Sequence, residues 1–159
     1  MDPTNLLLGK KVLIVDDEPD ILETMEEVLF MCEVDTAQNF ESAKELLEKN
    51  SYDMTVLDIM GVNGYELLEI AIKKNIKSVI FTAHALSPDN FAKSLNLGAR
   101  AYIPKDKMME LDVVLSEVIK EEDTKDAGLG KWFDRLKGYF VKKFGDPDWA
   151  VKLKGPWYP

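Results

Sequence analysis

Cysteine is nearly missing from this chain. Cys32 stands alone, so no internal disulfide can staple the fold, and its place in an apolar stretch of helical spacing reads as a small core residue. Long hydrophobic runs are missing too. The best near the N-terminus, Leu6-Leu7-Leu8 and Val12 to Val15, fall far short of the roughly 18 to 20 residues a membrane-spanning helix needs. A basic segment leading into a long apolar one with a small-residue cleavage site is also lacking, which leaves no secretory signal and makes the cytoplasm the expected compartment. Internal repeats and low-complexity tracts do not occur. With 46% hydrophobic residues over 159 positions, the chain can bury one core of ordinary size and carry a short appendage.

Net charge is unevenly spread. Residues 124–159 hold eight Lys/Arg against four Asp/Glu, a balance of +4, while residues 1–123 hold 12 against 25, a balance of −13. An acidic domain repels phosphate backbones, so direct DNA binding is not expected from it. The 36 residues after 123 are too few for a winged-helix DNA-binding domain, and they show no helix-turn-helix pattern.

From residue 11 to about 121, short β-rich runs alternate with helical periodicity. Strands are expected at Lys11–Val15, Val34–Ala37 (a weaker one), Met54–Leu57, Ser78–Phe81 and Ala101–Ile103. Pro19 suits the first turn of a helix that aligns Ile21, Leu22, Met25, Val28, Leu29 and Cys32. Further helices are expected around Phe40–Leu47, over Tyr65–Lys74, over Asn90–Leu97 with Gly98 closing it, and over Met109–Lys120. Five βα units in this length predict an α/β fold with a parallel sheet covered on both faces. The division expected is an N-terminal arm (1–10), the α/β domain (11–122), and a linker with a basic, aromatic helical extension (123–159).

Open α/β sheets bind ligands outside the carboxyl ends of their strands. Here the first strand runs into Asp16-Asp17-Glu18, the third into Asp58, the fourth into Thr82-Ala83, and the fifth leads to Lys105. Clustered carboxylates repel unless a cation lies among them, and hard oxygen donors suit Mg²⁺. A carboxylate beside such a cation can attack a phosphoryl group, with a lysine and a hydroxyl steadying the phosphoryl oxygens. Taken singly, the same residues have plainer readings: an acidic N-cap before Pro19, a β-branched strand residue at Thr82, a core ring at Tyr102.

In register, the segments Val-Leu-Ile-Val-Asp16-Asp17-Glu18-Pro, Val-Leu-Asp58, Phe-Thr82-Ala83 and Ala-Tyr102-Ile-Pro-Lys105 resemble the CheY-like receiver domain of bacterial two-component response regulators, over residues 10–122. The resemblance implies a flavodoxin-like, doubly wound five-stranded parallel sheet of order 2-1-3-4-5. It implies phosphoryl transfer to Asp58 from a histidine kinase or phosphotransfer protein, with Lys105 and Thr82 at the transferred group. Asp17 would bind Mg²⁺ directly, Asp16 mostly through water, and Asp58 and the Met60 carbonyl would complete the protein's share. Thr82 and Tyr102 match the pair that switches when the phosphoryl group arrives, with a downstream protein reading the altered surface. Ala83 and His84, the single histidine, would lie on the rim. Such a domain is an acceptor that catalyses its own phosphorylation and dephosphorylation, not an enzyme in the turnover sense.

The sequence departs from that family pattern in two places. The run Asp58-Ile-Met-Gly61-Val-Asn-Gly64 is two residues shorter than usual and lacks a proline. Lys105 is followed by Asp106, with Pro104 before it, so a trans bond is expected where the family has a cis proline. Two other functions remain open at this stage: a protein-binding module that never accepts phosphate, and an aspartyl-nucleophile phosphohydrolase. Beyond Gly128, Trp132, Phe133, Leu136, Tyr139, Phe140, Val141 and Phe144 recur at helical spacing among five basic residues. Such a helix could pack on the domain, pair with a second copy, lie on an anionic membrane or dock on another protein. Homodimerisation is expected through it, or through the face made by residues 90–97, 101–103 and 109–120. Pro147 and Gly155-Pro156 predict an irregular end over Trp149–Tyr158.

Overall fold

The computed structural model describes residues 2–83, 86–121 and 130–145. Strands β1 (Lys11–Val15), β2 (Glu33–Ala37), β3 (Met54–Leu57), β4 (Lys77–Thr82) and β5 (Ala101–Pro104) pair in parallel in the order β2-β1-β3-β4-β5. Helices α2 (Pro19–Val28), α3 (Phe40–Lys49), α4 (Gly64–Lys73), α5 (Pro88–Leu97) and α6 (Leu111–Lys120) connect or follow them. The flavodoxin-like order implied by the motifs is therefore the one observed.

Burial explains why the strands read as they do. Central strands β1, β3 and β4 are covered on both faces for nearly their whole length, as a doubly wound sheet requires, and edge strand β5 is buried throughout. β2, at the other edge, is buried only at Ala37 and alternates between exposed and half-buried before it, which is why its apolar signal is weak. Thr55 and Ser78, buried side by side on β3 and β4, satisfy one another at 2.6 Å. The starts of α3 and α5 are fixed by side chains: Asn39 Oδ1 accepts from Ser42 N at 2.8 Å, and Ser87 Oγ accepts from Asn90 N at 3.1 Å. The Ser87 cap starts α5 at Pro88, two residues before the Asn90 expected from periodicity.

Four other segments depart from expectation. The N-terminal arm contains a helix, α1 (Pro3–Leu7), started by Asp2 Oδ1 accepting from Thr4 N, and Leu7 is fully buried. Cys32 lies outside α2: the chain leaves the helix after Val28, and Cys32 sits half-buried before β2 with its thiol directed at Leu7 O, 3.6 Å away. The expected helix from Met109 begins as a 3₁₀ turn over Lys105–Glu110, broken at Lys107, and becomes α-helical only at Leu111. Helix α4 opens one residue early, at Gly64.

The extension forms α7 (Lys131–Phe144), and it packs on its own chain. Trp132, Leu136 and Phe140 are buried, while Lys131, Arg135, Lys137, Lys142 and Lys143 stay exposed. Phe91 of α5 is the hub, with ring centroids 6.1 Å from Trp132, 6.0 Å from Phe133, 5.1 Å from Phe140 and 6.2 Å from Phe144. Of the four placements open to this helix, packing on the domain is the one seen. No helix among the described residues is long and apolar enough to cross a membrane. Residues 146–159, with the irregular end expected there, lie outside the described residues, as does His84.

Candidate functional site

The parallel register brings the strand tips to one edge. Val15 pairs with Leu57, Leu57 with Ile80, and Thr82 with Pro104. The ladder runs on past the strands, with Asp58 N donating to Val15 O at 3.0 Å and Asp16 N to Ala37 O at 3.1 Å. Those bonds set the Asp16 and Asp58 backbones on neighbouring strand tips, and both side chains are nearly fully buried.

Lys105 reaches back from the turn after β5 to join them. Its Nζ lies 2.7 Å from Asp16 Oδ2, 2.9 Å from Asp58 Oδ2 and 3.3 Å from Glu18 Oε1. The second oxygen of Asp58, Oδ1, accepts from Ile59 N at 2.8 Å, and Asp16 Oδ1 accepts from Glu18 N at 2.9 Å. Burial pushes the Asp16 carboxyl upward, and nearby Asp58 adds to that, although Lys105 and the Glu18 N–H pull against it. Burial alone would lower the Lys105 ammonium. The hydrogen bonds and charges of Asp16 and Asp58 outweigh it and hold the ammonium above its ordinary value, so the lysine stays charged across the physiological range.

The short loop after Asp58 closes the other side through two glycines. A side chain at Gly64 would put its Cβ 1.8 Å from Asp58 O, and one at Gly61 would put it 2.3 Å from Asp17 Oδ2. Gly61 also has φ +82°, and Asn63 is left-handed at φ 57°. Left-handed turns at these two residues let a run two residues short still reach α4 while pressing its backbone on the acids.

Carboxylate oxygens of Asp16, Asp17 and Glu18 lie within 4.8 Å of one another, with Asp17 and Glu18 exposed. This all-oxygen set, with space beside Asp17 that any side chain at residue 61 would fill, fits a small hard divalent cation such as Mg²⁺. Asp58 lies outside that cluster and is tied to it by Lys105. Glu18 stands in it instead, a role its place in the quoted acidic run could have suggested.

Thr82 is fully buried at the end of β4, and Ala83 after it is exposed. Tyr102 on β5 is also fully buried: its ring meets Phe91 edge-on at 5.3 Å, and its hydroxyl accepts from Ser87 N at 3.4 Å. Burial holds that phenol's pKa well above its ordinary value. Met60 turns an exposed side chain to solvent, so it could offer a cation only its carbonyl. The Lys105–Asp106 bond is trans, since no described peptide bond is cis.

Comparison with known proteins gives the family. The family of the response regulator receiver domain matches residues 12–116. The two-component response regulator ARR18 of Arabidopsis thaliana is 31% identical over 121 residues, which is 72% of this chain and 19% of that protein. The nisin biosynthesis regulatory protein NisR of Lactococcus lactis subsp. lactis is 29% identical over 118 residues, 71% of this chain and 52% of its own length. The chain spans about a fifth of the length of the plant relatives it matches. Among solved structures, a CheY-like response regulator receiver domain protein from Methanospirillum hungatei JF-1 is 29% identical, covers 72% of this chain and 99% of its own, and superposes with a TM-score of 0.59. The receiver domain of the Francisella response regulator 1452 is 28% identical, covers 70% and 98%, and gives 0.63. On its motifs, strand order and matched length, this chain belongs to the response regulator receiver domain family.

Proposed function

We propose that the chain is a phosphoacceptor switch in a phosphorelay, with Asp58 taking the phosphoryl group from a histidine kinase or phosphotransfer protein. The observation that carries this reading is the Lys105 ammonium held 2.9 Å from Asp58 and 2.7 Å from Asp16 at the sheet's carboxyl edge. In the transfer, an Asp58 carboxylate oxygen forms the new bond to phosphorus as the donor's bond to phosphorus breaks. The departing nitrogen or oxygen takes up a proton from solvent. Lys105, already charged and in place, passes from Asp58 to a phosphoryl oxygen, and Thr82 donates a hydrogen bond to another. Asp17 and Asp16 would hold Mg²⁺, with Asp58 and the Met60 carbonyl as the remaining protein donors. Bound there, Mg²⁺ supplies positive charge against the phosphoryl oxygens.

Neither competing function gains support. A phosphohydrolase of this kind wants a second acid two residues after the nucleophile, and that residue is Met60. A domain unable to accept phosphate was suggested by the shortened loop, yet Gly61 and Gly64 let that loop lie against Asp17 and Asp58. The chain thus acts as a cytoplasmic receiver (11–122) with an appended element (123–159), read by a downstream protein and not by DNA. It promotes its own phosphorylation and dephosphorylation without turning over a second substrate.

Acetyl phosphate labelling tests this directly. Wild type with Mg²⁺ should gain one phosphoryl group that lasts minutes or longer, and Asp58→Asn or chelation should abolish it. Equal labelling of Asp58→Asn would sink the assignment, and steady turnover of phosphomonoesters would favour the hydrolase.

A further inference from the structure

Helix α7 is tied to the same segment of chain that carries the candidate site's lysine. Tyr139 donates to Asp106 Oδ2 at 2.7 Å, and Asp106 is the residue after Lys105. One position on, the Phe140 ring centroid lies 6.1 Å from that of Tyr102, and both rings meet Phe91, at 5.1 and 5.3 Å. Phe140 and Phe91 thus both lie against the Tyr102 ring, and Tyr102 has no exposed surface left. A third tie, Arg135 to Glu117 at 2.8 Å, fixes α7 to α6.

The docking also has flaws. Trp132 Nε1 and Glu117 Oε2 are buried without a hydrogen-bond partner among the described residues. Unpaired buried polar atoms weaken the contact that encloses them.

We propose that α7 is an intrachain clamp on the switch, and that its docking and the phosphoryl group at Asp58 favour one another. The proposal rests on the phosphoacceptor reading and adds a regulator to it. The resemblance pairs Thr82 with Tyr102 in the switch, and in this proposal the buried Tyr102 ring goes with Thr82 turned to the phosphoryl group. Phe140 is one of the rings that enclose Tyr102, so docked α7 favours the buried Tyr102. Meanwhile Tyr139 steadies the Lys105–Asp106 turn from outside, as a positioning contact for the ammonium. If docking selects the buried ring, linkage requires that whatever selects the buried ring also strengthens docking.

The test is a beryllofluoride titration, with Mg²⁺, of the full chain and of Phe140→Ala and Tyr139→Phe, with hydrogen exchange followed over residues 131–144. The clamp predicts binding weakened by about 5-fold or more in Phe140→Ala, the low end of usual site-to-site coupling. It predicts about 2-fold weakening in Tyr139→Phe, which loses one hydrogen bond. In wild type, beryllofluoride should slow exchange across α7. Equal or tighter binding by the variants, or α7 exchange unchanged or faster, overturns the clamp alone. Should Phe140→Ala fail to fold, Tyr139→Phe and the wild-type exchange decide. A wild type that binds no beryllofluoride overturns the acceptor reading, and the clamp falls with it.

Discussion

At the tips of β1 and β3, charged groups are packed with no slack: one ammonium touches three carboxylates, and two glycines admit a backbone that no side chain could pass. Where α7 lies on α5 and β5, the contacts are between rings 5 to 6 Å apart, with only Tyr139 and Arg135 adding polar ties. The first region depends on single atoms, because a charge out of water is tolerated only beside its partner. The second depends on area, because apolar burial is graded and non-directional. Damage to the first should therefore be abrupt and chemically specific, and damage to the second should scale with the surface removed.

The largest effect expected is from Lys105→Ala. Two buried carboxylates would then face each other without their cation, a loss of about 4 kcal/mol by urea unfolding in chelator. Added Mg²⁺ should restore part of it, because a divalent ion can replace the missing charge; stability unchanged in chelator would show the acids to be less buried than the geometry says. Gly64→Ala comes next, at about 3 kcal/mol, because its Cβ cannot fit beside Asp58 O without moving backbone. Phe140→Ala should cost no more than about 3 kcal/mol, since the loss ends once α7 has undocked. Exchange protection should vanish from 131–144 while the strands keep theirs. If the whole sheet loosened, the two regions would be one cooperative unit and the contrast would fail.

The smallest effect lies away from both regions. Burial raises the Cys32 thiol from its ordinary 9.0 to about 11. The folded chain keeps the proton longer than the unfolded one, so the stabilisation is complete below pH 9 and declines as pH rises toward 11. Urea midpoints over that range should fall in wild type and fall less in Cys32→Ala.

The sheet and its acidic edge were legible because β1, β3, β4 and β5 are largely apolar runs that lead into the candidate site residues, and a parallel sheet must bring those ends together. Other parts were not. Leu29-Phe30-Met31 continues the apolar pattern of α2 past its end with no Gly or Pro to mark the exit, so Cys32 reads as helical. Five-residue α1 is too short for periodicity, although Asp2 and Pro3 are the cap and first-turn signals it uses. The 3₁₀ turn at Lys105–Glu110 looks helical in sequence because only the backbone of Lys107 departs. For α7 the spacing shows an aromatic face but not what it covers. That depends on Phe91, forty residues away and unremarkable in its own helix.

The central claim is that Asp58, steadied by Lys105, is the group that accepts phosphate. Borohydride reduction after acetyl phosphate treatment would convert an acyl phosphate to an alcohol in place, and peptide mapping would locate it. Homoserine at position 58 alone, formed only when Mg²⁺ is present, is the result predicted. Conversion at Asp16, Asp17 or another acid with Asp58 untouched would contradict it.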